Sequence, residues 1–542
     1  MGTKLVFYCN TLLAVFLLTF LSCTKKTIVN GKLLDVNGNP SQYAMVGIAP
    51  SFRDGGDNFT TCDSDGSYSI KITKTGVNYL VYSIPSHDQL KIPILNDTYK
   101  ELTINVNLAA YQYVDNFDEV AIKTRDNPSA EKMTKLEDGT YVYENKTDKD
   151  KILYQLCNIS YWRSVNGPDA ISFVHNDKSG DYWSVVRSEG GKFRIIFDPN
   201  KLLRKTDPYK VIFNGSDFDR KFSQIMSDQD KMLGIAEYKC GAYYLEHHDF
   251  KGFVYDEGDY LIDFVKRVET EKDDRLSKLM KLIYLTTFQN KFKHLDTIKA
   301  REYFNSVPPK DSAWCFIPAA YSGLYSLYQD QNQRMTISDN FLEKTKSIEI
   351  KTGIFTIKLI DAYYSNNTEE LEKLRDLISN DYKDVKELQD LLKKYQVESK
   401  LKIGSDILDY EVTSFENPKE KYSKRSMLGK VYLIDFWFTT CGPCIGEMPY
   451  LHKAYGKYKN KGFDILSLSI DSEELVKKFR TYRWKMPWKN SVINRNEKIL
   501  DDFEVKGYPT TILIGVDGKV LMKEAKELRG EKLNETLEKF LK

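Results

Sequence analysis

The spacing of apolar residues changes character twice along the chain. From residue 31 to 110 it alternates. Tyr68, Ile70 and Ile72 follow an Asp65-Gly66 pair, and Leu102, Ile104, Val106 and Leu108 repeat the same step of two. Alternation broken by turn residues such as Asn37-Gly38-Asn39-Pro40 predicts the short strands of a small β-sandwich. Residues 111–137 are charged, carry Asn127-Pro128 and read as a linker. Strand-like runs return over 138–215 in "GTYVYENK", "AISFVHN", "YWSVVRS" and "GKFRIIFDP", which predicts a second β-rich region.

From 216 to 400 the period becomes helical. "LIDFVKRVETEKDDRLSKLMKLIYLTTF" and "EELEKLRDLISNDYKDVKELQDLLKKYQ" each set an apolar stripe against a charged face. A helical middle domain follows, with its charge runs as solvated faces. Over 401–542 the pattern changes again. "VYLIDFWF" and "FDILSLSI" are continuous apolar strands, each followed by a helical stretch. "TTILIGVDGKVLMK" is a hairpin turned at Asp517-Gly518, and "EKLNETLEKFLK" is a closing amphipathic helix. This is an α/β layout, so the chain as a whole is multidomain.

Composition bounds the reading without changing it. At 542 residues the chain is too long for a single core. A net charge of +2 gives no electrostatic case for nucleic acid. The first residues do add something. One Lys precedes an apolar run, Leu5 to Leu21, that is short for a membrane span and ends in "FLSC". A small residue followed by Cys at that point resembles a bacterial lipoprotein signal, although Phe20 stands where Leu is usual. Residues 1–22 would then be a signal peptide, and 23–30 a tether whose Cys23 carries lipid and holds the protein to a membrane. An ordinary signal peptide or an uncleaved anchor remain the alternatives.

Eight cysteines are present. Cys62, Cys157, Cys240 and Cys315 are widely spaced and allow three disulfide connectivities, or four buried free thiols. Free thiols are the expectation, since cysteine is among the most buried residue types. The other informative pair is Cys441 and Cys444, in "DFWFTTCGPCIGEMP", between the first apolar strand and the first helix of the C-terminal region. A thiolate, not a thiol, attacks disulfides, and a free thiol with a pKa of about 8.5 is mostly protonated at neutral pH. A helix N-terminus stabilises the thiolate through unpaired N–H groups and the dipole. Pro443 fits the first turn, where its missing N–H costs nothing. Cys441 is therefore the expected nucleophile and Cys444 the resolving thiol. A zinc site would need two further ligands, and the nearest other cysteine is Cys315, so metal binding is not expected. His247, His248 and His294 lack a spaced partner cluster.

These motifs carry a resemblance. "YLIDFWFTTCGPC" resembles the thioredoxin active-site strand and turn, and "GYPTTILI" resembles the segment that holds its cis-proline. Within that superfamily, "CGPCIGEMP" and "GKVLMKEAKELRG" are similar to the exported TlpA/ResA branch. The resemblance runs from Ile403 to the C-terminus and implies a thioredoxin-like fold for residues 401–542. It implies that Pro509 is the cis-proline lying against the cysteine pair. It implies that Asp435 is the buried carboxylate accepting a proton from the resolving cysteine, a role that burial suits by raising a carboxyl pKa. Glu447 matches the branch's active-site glutamate, or is an ordinary solvent-facing acid of the first helix. Gly442, Pro443, Tyr508 and Trp437 are the implied substrate contacts, with the Tyr508 backbone pairing with substrate. The family's Trp before the first cysteine is Thr440 here, and no Lys stands near Ser467. At the other end, "NGKLLDVNGNP" and "CDSDGSYSI" resemble carboxypeptidase-regulatory sandwich modules found in exported Bacteroidetes proteins.

The resulting expectation is a membrane-tethered, extracytoplasmic thiol–disulfide oxidoreductase of the bacterial envelope. It would act on protein thiols and disulfides without a cofactor, as a reductase recharged by a membrane thiol donor such as a transmembrane disulfide reductase. An oxidase or isomerase using the same residues is one alternative. A surface binding or assembly protein, with the C-terminal domain as a docking module, is the other.

Overall fold

A computed structural model describes residues 26–541 except 128, 161–163, 168–169, 177–179, 206, 248–251, 290, 365–366, 396–400 and 524–525. The expected signal peptide, Cys23 and His248 lie outside the described residues. The chain divides into two compact units, Met1–Ile348 and Glu349–Lys542.

The first unit opens with two four-stranded sheets. One has the order Lys210–Asn214, Lys100–Asn107, Thr27–Leu34, Ser67–Ile72. The other has the order Asp57–Thr61, Met45–Ala49, Gly76–Ser83, Leu90–Asn96. Their alternating residues, among them Val29, Leu33, Ile70, Leu80, Ile92 and Ile104, form a single buried cluster. The backbones approach closely at Gly31, where a Cβ would lie 1.8 Å from the carbonyl oxygen of Ile104.

Three boundaries read from the sequence are corrected. Strand Thr27–Leu34 begins inside the expected tether. Strand Lys210–Asn214, expected in the second β-rich region, returns to become the edge of the first sheet. The expected linker 111–137 contains strand Ala121–Thr124, which pairs with Lys151–Cys157 in a five-stranded sheet. Val120, Ile122 and Met133 are buried there, although charged neighbours outnumber them locally. A few apolar side chains are enough to hold a segment once other strands cover them.

Helices Asp217–His247, Tyr260–Thr270, Asp274–Thr286, Thr297–Ser306 and Gln331–Lys344 complete the first unit. The expected helical domain 216–400 is also cut. All but the first residue of helix Ile348–Tyr364, and helices Thr368–Asp381 and Lys386–Lys394, belong to the second unit. Cys62, Cys157 and Cys240 are free thiols. Among the described residues no helix is long and apolar enough to cross a membrane.

In the second unit a short hairpin, β1 (Glu411–Thr413) and β2 (Lys421–Ser423), precedes a five-stranded sheet. Its strands are β3 (Val431–Trp437), β4 (Phe463–Ser469), β5 (Lys489–Val492), β6 (Thr510–Ile514) and β7 (Val520–Lys523). Their order is β5-β4-β3-β6-β7, with β3, β4 and β5 parallel and β6 and β7 antiparallel to their neighbours. Helices α1 (Gly442–Tyr458), α2 (Glu473–Tyr482), α3 (Glu497–Asp502) and α4 (Lys532–Phe540) connect and close it. Every residue of β3 and β4 is buried, because both faces are covered. Val431, Leu433 and Trp437 join one core cluster with α1 and α4, while Tyr432, Ile434 and Phe436 join another.

Candidate active site

The C-terminal end of β3 feeds directly into α1. Cys441 is the N-cap, Gly442 and Pro443 are the exposed first residues of the helix, and Cys444 lies one turn in. Cys441 and Cys444 form a disulfide with their Cα atoms 5.3 Å apart. The backbone N–H of Cys444 donates to Cys441 Sγ at 3.1 Å. A sulfur thus occupies the position where Ser, Thr or Asp usually satisfies an orphan helix donor. In the reduced protein the same geometry offers a thiolate a backbone N–H and the positive end of the helix dipole. No acidic residue stands in the first turn to oppose it.

Asp435 is buried two residues before Trp437 on β3. Strand alternation puts it on the same face as Leu433 and Trp437, the face that packs against Cys441 and Cys444. Ser467, opposite it on β4, donates to Asp435 Oδ2 at 3.4 Å and accepts from Trp488 Nε1 at 2.8 Å. The Ser467 hydroxyl therefore stands where the resemblance expects the absent Lys.

The Tyr508–Pro509 peptide bond is cis and immediately precedes β6. The Tyr508 ring is half-buried, and burial raises its phenol pKa. It meets Phe438 edge to face, with ring centroids 5.4 Å apart. Phe438 is also the carbonyl acceptor for the N–H of Cys441 at 3.1 Å. A single residue after β3 therefore touches both halves of the site. Thr439 N–H donates to Asp471 Oδ2 at 2.6 Å, which fixes the turn from the other side. Thr440 is exposed. Glu447 is half-buried on α1 and accepts the N–H of Gly530 at 2.9 Å, so it is not a free solvent-facing acid.

Trp437 requires a correction. It is only 1% exposed and packs on Phe479, with centroids 5.0 Å apart, so it is a core residue and not a substrate contact. A strand covered on both faces leaves its last aromatic no route to the surface. The sequence did not reveal Phe438, Ser467 or Trp488 as parts of the site. Phe438 carried a usable signal, as the apolar residue closing "DFWF" just before the turn. The other two act through contacts between segments distant in sequence. Among the described residues no group of three or more His, Cys, Asp or Glu side chains is placed to hold a metal ion.

The C-terminal region is similar to known proteins. A family model described as Redoxin matches residues 402–539. Thiol-disulfide oxidoreductase ResA of Bacillus cereus is 36% identical over 150 residues, covering 27% of this chain and 82% of that protein. ResA of Bacillus thuringiensis subsp. konkukian is 37% identical over 147 residues, covering 27% of this chain and 80% of that protein. The crystal structure of the thioredoxin domain of a thiol-disulfide oxidoreductase from Bacteroides vulgatus shows 32% identity. It covers 26% of this chain and 99% of that one, with a TM-score of 0.24.

Proposed function

The chain belongs, through its C-terminal domain, to the ResA thiol-disulfide oxidoreductases, and from that premise we propose a lipid-tethered reductase of protein disulfides acting outside the cytoplasm. The observation that carries the chemistry is the Cys444 N–H donated to Cys441 Sγ at the start of α1. The Cys441 thiolate attacks one sulfur of a substrate disulfide. A mixed disulfide forms, and the other substrate sulfur leaves as a thiolate that takes a proton from water. Cys444 passes its proton to Asp435 and attacks Cys441 Sγ, which releases the second substrate sulfur as a thiolate. Two electrons have then moved to the substrate, and the pair is left as the Cys441–Cys444 disulfide.

The substrate polypeptide lies along the Tyr508 backbone and over the exposed Gly442 and Pro443. Gly-Pro between the cysteines, the dipeptide of thioredoxin itself, supports the reducing direction. A reductase outside the cytoplasm needs its electrons returned, which is the part assigned to a membrane thiol donor. The tether is assigned to lipid on Cys23.

The test is the reduction potential of the pair, read by equilibration in thiol buffers and mass spectrometry. A value near thioredoxin's, about −270 mV, supports the reductase. A value near DsbA's, about −120 mV, reverses the direction and makes the protein an oxidant.

A further inference from the structure

Leu528 closes a short turn, Lys526–Leu528, and Arg529 and Gly530 follow it before helix α4. Each of the three contacts a different part of the site. Leu528 is buried in the core cluster that contains Cys441 and Cys444. Arg529 Nη2 donates to the carbonyl oxygen of Pro509 at 2.6 Å. The N–H of Gly530 donates to Glu447 Oε2 at 2.9 Å. Pro509 follows Tyr508, and Glu447 lies one helical turn beyond Cys444. One tripeptide therefore holds the Pro509 loop with its side chain, helix α1 with its backbone, and the core with its first residue.

We propose that this tripeptide is a clasp that sets the spacing between the Pro509 loop and the start of α1, making Arg529 a positioning residue for the substrate polypeptide. The inference rests on the reading that a protein disulfide docks along Tyr508. A guanidinium bonded to a carbonyl is a charge-assisted contact, roughly twice as strong as a neutral one. It fixes the direction of the peptide unit that ends the docking loop. Gly530 has a left-handed backbone, φ 56, in which its N–H meets Glu447. A Cβ there would meet no atom within 4 Å, so backbone conformation and not space selects glycine. The clasp acts on how a polypeptide is aimed at Cys441. A small disulfide that needs no docking loop is indifferent to it.

The experiment uses the full chain with Arg529→Gln and Arg529→Lys, and insulin and hydroxyethyl disulfide as probes. Arg529→Gln is expected to slow insulin reduction about tenfold, since small misplacement at a reacting centre costs that much or more. Its rate with hydroxyethyl disulfide stays within about twofold and the potential of the pair is unmoved, because the reacting sulfurs keep their own surroundings. Arg529→Lys restores much of the insulin rate, because a cationic donor is retained. Equal losses on both probes, a shifted potential, or no loss on insulin would overturn the clasp. A Cys444→Ser control reads the premise separately. If it traps no insulin adduct in the otherwise native chain, the protein-docking reading fails and the clasp falls with it. If it traps the adduct equally well with and without Arg529→Gln, only the clasp fails.

Discussion

Two cysteines in two regions are almost equally hidden, yet the protein gives them opposite chemistry. Cys62, between strands Asp57–Thr61 and Ser67–Ile72, is 7% exposed; Cys441, at the head of α1, is 4% exposed. Cys62 lies among Leu33, Tyr68 and Tyr82, with Asp63 beside it. Burial, reinforced by that carboxylate, pushes its thiol up to about 12. Cys441 is buried against a helix start, where an N–H points at its sulfur. The comparison teaches that burial alone does not set reactivity. A buried sulfur surrounded by side chains must stay neutral, whereas one facing unpaired backbone donors can carry charge.

The strongest way to break this comparison is to remove each sulfur in turn. Cys441→Ser is expected to lower insulin reduction by at least about a thousandfold, since the nucleophile itself is lost. Cys62→Ala should leave that rate within about twofold and cost roughly 1 kcal/mol through a small cavity. An inactive but folded Cys62→Ala protein would show that Cys62 takes part in exchange.

Alkylation of the reduced protein sharpens the same contrast. With a thiol at about 12, Cys62 is ionised to only about one part in a hundred thousand at pH 7. Cys441 should therefore react with iodoacetamide at least about a thousandfold faster, read by peptide mass spectrometry across pH. Equal rates in folded protein would sink the electrostatic account.

The smallest effect concerns a buried carboxyl in the first unit. Asp230 is raised from 3.8 to about 6 by burial, against the opposing Tyr79 hydrogen bond and the charges of Arg53 and Lys91. The Tyr79 hydroxyl donates to Asp230 Oδ2 at 2.7 Å. The native state thus holds this proton more tightly than the unfolded chain does. Its contribution to stability is fully present below pH 3.8 and is lost as pH rises through about 6. The change amounts to about 3 kcal/mol. Asp230→Asn should flatten that part of the profile in urea unfolding. An unchanged slope would mean that the carboxyl is not the titrating group.

What could be read in advance follows from how local each signal is. "VYLIDFWF", "FDILSLSI" and the Asp517-Gly518 hairpin announce themselves because each is a continuous run with its own turn residues, and the structure places strands at all of them. Cys441 as N-cap and Pro443 in the first turn are likewise a matter of neighbours along the chain. The edge strand Lys210–Asn214 was not legible as part of the first sheet. Its partner, Lys100–Asn107, is remote in sequence, and nothing local specifies that return. Ala121–Thr124 was hidden by the charges around it.

The sequence by itself determined the C-terminal order of strands and helices and the residues of the redox pair, because propensity, period and capping act over a few positions. Only the tertiary structure decided that Trp437 belongs to the core, that Ser467 and Trp488 back Asp435, and that Arg529 reaches Pro509. Those facts depend on which segments cover one another. That is fixed by the packing of whole elements around a shared core, and no window of neighbouring residues contains it.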